Sequence, residues 1–367
     1  MQNKQPPAFF ATRFWHKEPR GEQLKDELVT CDVCPHHCHL REGKRGICYV
    51  RMNHQGRIVL TSYGRSSGFC IDPIEKKPLN HFYPGSKVMS FGTAGCNLSC
   101  KFCQNWAISK SREIDTLCAT AMPEQLAAAA KKQGCKSLAF TYNDPVIFME
   151  YAVDAAIAAK ALGLKSVAVS AGYMCAQPRI ELYRHMDAAN IDLKGFTENF
   201  YHKICHGQLQ PVLDTLLYLK QQTSVWFEIT TLLIPDENDS DQELHKMCQW
   251  IAENLGQDVP LHFSAFHPDF KMLDKQSTPL ATLLRARKIA LGYGLHHVYC
   301  GNVHNIESDS TYCPSCGKLL IERDWYQLGQ YNLDGRGHCL HCGQRLAGRF
   351  AGPKENFGRQ RIPVSVE

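Results

Sequence analysis

No stretch of this chain approaches the run of about 18 apolar residues that a membrane-spanning helix needs. The opening segment, MQNKQPPAFFATRFWHKE, lacks the uninterrupted apolar core of a secretory signal. These absences set the expectation of a cytoplasmic protein with no membrane partner, whose thiols stay reduced. Long blocks of one charge sign are missing as well. Against 41 basic residues stand 36 acidic ones, a net charge of +5, so nucleic acid is not indicated as a partner. Low-complexity tracts are absent, and no repeat stands out beyond an alternation of strand-like and helix-like segments.

Cysteine, by contrast, is abundant. The chain of 367 residues carries 18, and most fall in three tight groups. In a reducing compartment such clustering reads as metal binding rather than as a disulfide framework. Cys70, Cys118, Cys135, Cys175, Cys205, Cys248 and Cys300 lie outside the groups and read as small packed residues.

Between the outer cysteine groups, short β-branched or aromatic runs mark strands at Val88–Thr93, Ser137–Tyr142, Ser166–Ser170, Ala189–Leu193, Val225–Ile234, Leu261–Phe266 and His297–Tyr299. Helical stretches separate them. Pro123 opens one that Gly134 closes, Pro145 opens one that Gly163 closes, Ser240 caps one ending near Gly256, and Thr278–Pro279 starts another. Such alternation predicts an α/β fold, a full or partial (β/α) barrel, with its chemistry at the carboxyl ends of the strands. The expected organisation is a cysteine-rich extension over 1–87, the barrel over 88–310, a zinc-ribbon-like module over 311–346 and a surface tail over 347–367.

The first barrel strand runs straight into GTAGCNLSCKFCQNW, which spaces Cys96, Cys100 and Cys103 as C-x3-C-x2-C. Three thiolates can hold three corners of a four-iron, four-sulfur cubane and leave one iron open. An open iron can chelate the amino and carboxylate groups of S-adenosylmethionine. Zinc with a distant fourth ligand, or plain reduced thiols, are the alternatives. In the last group, Cys313-x2-Cys316 and Cys339-x2-Cys342 are each followed by Gly, as in a zinc ribbon; a rubredoxin-like iron site is the other reading. The first group, Cys31, Cys34, Cys38 and Cys48, with His36, His37 and His39 interleaved, fits a second zinc, an auxiliary cluster or no metal. His267, after the sixth strand, is the one histidine singled out for proton transfer.

The motif with Phe102 before its third cysteine resembles the hallmark of the radical S-adenosylmethionine (SAM) superfamily. Along nearly the whole chain, CDVCPHHC, GKRGICYVR, DPIEKKPL, FTYNDP, NIDLKGF, TTLLIPDENDS, FHPDF, GNV and TYCPSCGKLLIER resemble the radical enzyme of the AmmeMemoRadiSam system, a family near the pyruvate formate-lyase activating enzymes. The resemblance implies reductive cleavage of SAM to a 5′-deoxyadenosyl radical that abstracts hydrogen from a substrate. It places Phe102 near adenine, Tyr142, Asn143 and Asp144 at the methionine end, and Ser170, Asp192 and Lys194 along the nucleoside and carboxylate. It also implies a reducing donor such as flavodoxin or ferredoxin, with Memo-like and AMMECR-like partners. Asp144 stands where Glu is expected, Ala171 where Asn is usual and Asp236 where Gly is usual. A glycyl-radical-enzyme activase is the nearest alternative, and a non-catalytic iron–sulfur or zinc protein is the alternative of another class.

Overall fold

Seven parallel strands form the centre of the computed structural model, which describes residues 5–18, 28–111, 117, 119–351 and 355–366. They are β1 (Lys87–Phe91), β2 (Ser137–Phe140), β3 (Lys165–Ser170), β4 (Ala188–Asp192), β5 (Trp226–Leu233), β6 (Leu261–Ala265) and β7 (Val298–Gly301). Every neighbouring pair is parallel, and the spatial order is the chain order. All seven fall within two residues of the sequence-based expectation.

One main helix occupies each crossover: α1 (Pro123–Lys132), α2 (Met149–Ala161), α3 (Ala176–Tyr183), α4 (Gln210–Gln222), α5 (Asp241–Asn254) and α6 (Leu280–Gly292). Right-handed connections between successive neighbours put all such helices on one face of the sheet. The opposite face is left free to line a cavity. Local signals act as expected: Pro123 occupies the first turn of α1, and the Ser240 hydroxyl accepts the Glu243 N–H to cap α5. Gly134 and Gly163 reverse the chain after α1 and α2 at φ of 69° and 74°. Sequence patterning did not single out α3 and α4. In α3, Pro178 interrupts the pattern and the buried Arg179 contributes to the inward face, donating to the Thr215 hydroxyl of α4 at 3.0 Å.

Beyond β1 the sheet gains two antiparallel strands, Phe69–Pro73 and then Ile362–Val364. The hydrogen-bonded order is therefore open, with β7 at one edge and Ile362–Val364 at the other. The C-terminal tail thus contributes an edge strand rather than only running over the surface.

The N-terminal cysteine segment folds as short antiparallel ribbons, one pairing Trp15–Lys17, Val29–Cys31 and His39–Leu40. Its apolar side chains, Val29, Leu40 and Leu60 among them, join the core of the α/β body. Arg51 is buried there and holds Glu150 of α2 through two guanidinium contacts. At the other end, Thr311–Tyr312, Leu319–Asp324 and Gln327–Tyr331 form an antiparallel sheet over a small core of its own, including Leu320, Ile321 and Phe350. Arg323 ties this module to the body by donating to the Asn80 carbonyl at 2.8 Å. Of the thiols outside the three groups, Cys70, Cys135, Cys205, Cys248 and Cys300 are buried and Cys175 is half-buried; Cys118 lies outside the described residues. Among the described residues no helix is long and apolar enough to cross a membrane.

Candidate functional site

The free face of the sheet encloses a cavity of about 430 Å³ to which all seven parallel strands or the loops that leave them contribute. That volume suits a ligand of nucleoside-derivative size. Its lining includes Cys96, Cys100 and Cys103 from the loop after β1, and Trp325 and Tyr326 from the C-terminal module.

The cysteine loop is clamped from β2. The Asn143 amide oxygen accepts the Thr93 N–H at 3.0 Å, and its nitrogen donates to the carbonyls of Thr93 at 2.9 Å and Gly95 at 2.8 Å. Two glycines make this approach possible. A Cβ at Gly92 would overlap the Thr141 carbonyl and the Asn143 amide. One at Gly95, where φ is 84°, would overlap the Cys48 carbonyl. A second clamp comes from the turn Tyr201–Cys205: Ser99 and Lys101 donate to the carbonyls of Cys205 and Ile204 at 2.9 and 3.0 Å.

Burial pushes the Cys96 thiol up to about 12, with the Asp144 charge adding to the effect. Cys100 is held down at about 7 by the neighbouring Cys205 thiol, with Lys194 and Lys110 assisting against burial. Cys103 Sγ lies 3.0 Å from the Ser109 hydroxyl. The three thiols do not close to the spacing of a single ion, since among the described residues only Cys313, Cys316, Cys339 and Cys342 bring their ligand atoms within 4.8 Å of one another. Three thiols opening separately on one cavity fit the corners of a multi-iron cluster. They do not fit a lone zinc, whose Zn–S bonds of about 2.3 Å would draw them together.

Six of the expected cofactor residues lie on the cavity wall: Phe102, Tyr142, Asn143, Asp144, Asp192 and Lys194. The Lys194 ammonium sits 3.0 Å from Asp192 and 5.8 Å from the centre of the Phe102 ring. Burial opposes its charge, but Asp192 prevails and its pKa is raised. Tyr142, at a left-handed φ of 69°, donates its hydroxyl to Asp72 at 2.7 Å. Ser170 is not on that wall: its hydroxyl donates to Asp144 at 2.9 Å, and Ala171 N–H reaches the same carboxylate at 2.8 Å. His267 is exposed and off the cavity wall. His262, five residues earlier, lines the cavity instead, with Nε2 2.7 Å from Glu228.

Sequence reasoning missed two buried charge clusters. Asp72 accepts from Lys76 at 3.0 Å and from Lys77 and Tyr142 at 2.7 Å each. Burial opposes its ionisation, but the Lys77 ammonium and these bonds hold the carboxyl well below the usual range. Burial brings Lys77 itself down to about 8 despite Asp72. The second cluster joins Glu228 to His262, His81 and Trp226. Both draw on the DPIEKKPLNHF segment.

The C-terminal thiols pair at 3.6 Å (Cys313–Cys342) and 3.8 Å (Cys316–Cys339). Two equivalent turns present them: Gly317 donates to the Cys313 carbonyl and Gly343 to that of Cys339, both at 2.9 Å. Burial opposes ionisation of Cys339, yet the N–H groups of His341 and Cys342 bring it to about 7.

A three-thiol loop at the end of the first parallel strand, facing a cavity built from all seven strands, defines a class, and comparison agrees. The sequence profile of the Radical SAM superfamily matches residues 91–248. Over 326 residues, 89% of this chain and 97% of the other, the sequence is 40% identical to the uncharacterized protein MJ0808 of Methanocaldococcus jannaschii. The chain belongs to the radical SAM superfamily, whose domain implies SAM and a [4Fe–4S] cluster. Similar solved structures include a domain of a pyruvate-formate lyase-activating enzyme from Bacteroides vulgatus (16% identity, 45% of this chain and 99% of that one, TM-score 0.41). Another is a radical SAM methyltransferase from Sphaerobacter thermophilus (11% identity, 85% and 81%, TM-score 0.49). Neither carries a functional argument.

The clamp makes a direct prediction. Gly163→Ala, where a Cβ would meet open space, should cost about 1–2 kcal/mol, the penalty of the left-handed backbone. Gly95→Ala adds overlap with the Cys48 carbonyl and should cost a further ~1–3 kcal/mol. Thermal unfolding checks the difference, and iron retained after desalting should fall only in Gly95→Ala.

Proposed function

We propose that this chain is a radical SAM enzyme of the AmmeMemoRadiSam type, related to the pyruvate formate-lyase activating enzymes, acting in a partial (β/α) barrel. The observation that carries the reading is the clamped loop presenting Cys96, Cys100 and Cys103 to a cavity built from all seven strands. Cys96, Cys100 and Cys103 would hold the cluster, which would supply the single electron for reductive cleavage of the sulfonium C–S bond of SAM. The chain's own residues hold and shield that chemistry. Lys194 is placed to neutralise the methionine carboxylate, Asp192 to bond a ribose hydroxyl and Phe102 to flank the base. The wall of Trp325, Tyr326, His262 and Lys77 receives the substrate and excludes water. A flavodoxin- or ferredoxin-type donor supplies the electron, and Memo-like and AMMECR-like proteins are the proposed partners.

The C-terminal module is proposed as a zinc ribbon. Zn–S bonds of about 2.3 Å set tetrahedral edges of about 3.8 Å, which the 3.6 and 3.8 Å thiol pairs match.

Reconstituted, reduced protein should convert SAM to 5′-deoxyadenosine and methionine, and Cys100→Ala should abolish this; cleavage that survives the substitution refutes the reading. Lys194→Ala should retain its iron but bind SAM about tenfold to a hundredfold more weakly, the loss expected for a charged hydrogen bond of about 1.5–3 kcal/mol. Equilibrium dialysis measures it. Cys316→Ser with Cys342→Ser should release one zinc per chain and expose residues 311–346 to protease while sulfide content holds. Zinc sites of this kind contribute about 10–16 kcal/mol to folding in isolated fingers. Unchanged zinc content would remove the assignment.

A further inference from the structure

The N-terminal thiols are used by nothing described above. Cys31, Cys34, Cys38 and Cys48 line a single small cavity whose other walls include Leu40, Ile147 and Arg51. Cys31, Cys34 and Cys48 are buried and Cys38 is half-buried. Residues from a ribbon, a turn and a separate loop have been folded onto one point.

Spacing separates the two kinds of metal. The C-terminal quartet closes to single-ion distance; the N-terminal quartet shares a cavity without closing to it, as does the Cys96 group. Four thiols around a wider centre fit the four corners of a cubane, with no iron left open for substrate. Such a saturated centre exchanges electrons and does nothing else.

Its position says with what. His36 Nε2 lies 2.7 Å from the carbonyl oxygen of Asn97, the residue after Cys96. Asn97 also lines the N-terminal cavity, and Gly95 is pressed against the Cys48 carbonyl. Asn97 and the Gly95–Cys48 approach therefore join the two thiol groups. The outer corner, Cys38, lies between the exposed His37 and His39.

We propose that Cys31, Cys34, Cys38 and Cys48 hold an auxiliary [4Fe–4S] cluster that takes single electrons from a low-potential protein donor at the Cys38 corner and passes them past Asn97 to the cluster at Cys96, Cys100 and Cys103. The transfer moves one electron and breaks no bond: the donor is oxidised, the auxiliary cluster is reduced and then reoxidised, and the Cys96 cluster is reduced. The site stands on its own geometry; the relay rests on the function proposed above.

The test separates the two. Replacing Cys96, Cys100 and Cys103 together by Ala removes the SAM chemistry and leaves the N-terminal group untouched. Anaerobic reconstitution of this full-length variant should leave about four iron and four sulfide per chain, with a reduced-cluster signal in electron paramagnetic resonance. A second zinc without sulfide, or no metal beyond the C-terminal zinc, overturns the site. For the relay, Cys34→Ser with Cys38→Ser is compared with the unaltered chain under flavodoxin and under dithionite, which reaches the Cys96 cluster directly. With about four iron remaining, SAM cleavage should fall about tenfold or more under flavodoxin and stay within about twofold under dithionite. Equal rates under both reductants overturn the relay. If the double variant loses all its iron, Cys38→Ser alone, at the half-buried corner, is measured the same way.

Discussion

The Asn143 side chain takes up three backbone groups of the cysteine loop at once, the Thr93 N–H and the carbonyls of Thr93 and Gly95. A loop leaving a parallel strand has spent its ladder partners and must find others when it is buried. Here one amide supplies them, and the thiols downstream inherit its rigidity. Closeness is the condition. Asn143 can reach only because Gly92 leaves room beside Thr141, and Gly95 can turn only because it tolerates a positive φ against Cys48. The three thiols, the wall of β2 and the N-terminal cysteine segment are therefore positioned by one contact set. A change in any of them is felt at the cluster ligands.

A directional chain of hydrogen bonds joins the cavity residue Tyr299 to the C-terminal module. His81 Nδ1 faces the Ala347 carbonyl at 2.7 Å, so Nδ1 carries the proton and Nε2 accepts from the Tyr299 hydroxyl at 2.6 Å. Burial pushes the His81 pKa down to about 4 in spite of Glu228, which keeps that tautomer neutral. Thr311 then donates to the Tyr299 oxygen at 2.8 Å and accepts from Arg323 at 2.6 Å. Each donor in this series has one acceptor, and the series crosses from the sheet to the C-terminal module. The module is thus fixed against the floor of the cavity, which is why Trp325 and Tyr326 can serve as its wall.

The strands and the chemistry-bearing loops were legible because both are local: β-branched runs bounded by Gly and Pro, and thiols at fixed spacing. Side-chain direction was less so. On β3 the cavity is lined by Val169 and Ala171, so alternation sends Ser170 the other way. On β6 the lining residues are His262 and Ser264, and the same parity turns away from position 267. On β4, Asp192 and Lys194, two residues apart, share the cavity face. The Asp72 and Glu228 clusters were out of reach for another reason. Their partners lie 70 and 148 residues apart in the chain for Tyr142–Asp72 and Asn80–Glu228, and no local pattern marks such pairs. Asp236 illustrates the intermediate case, since the usual Gly signalled a turn and Asp adopts it at φ 65°.

The two other departures from the family pattern prove to be one. Asp144, where Glu is expected, and Ala171, where Asn is usual, touch each other through the Ala171 N–H. The shorter carboxylate accepts from the Val146 N–H at 3.1 Å, the Ser170 hydroxyl and the Ala171 N–H. These bonds tie the Asp144 carboxylate, which also lines the cavity, to the segments that follow β2 and β3. With a methyl group at position 171, the wall there offers no side-chain donor or acceptor. Polar side chains nearby on the lining include Thr141, Tyr142 and Lys194. The half-buried Lys194 lines the same cavity, and Asp192 sustains its charge.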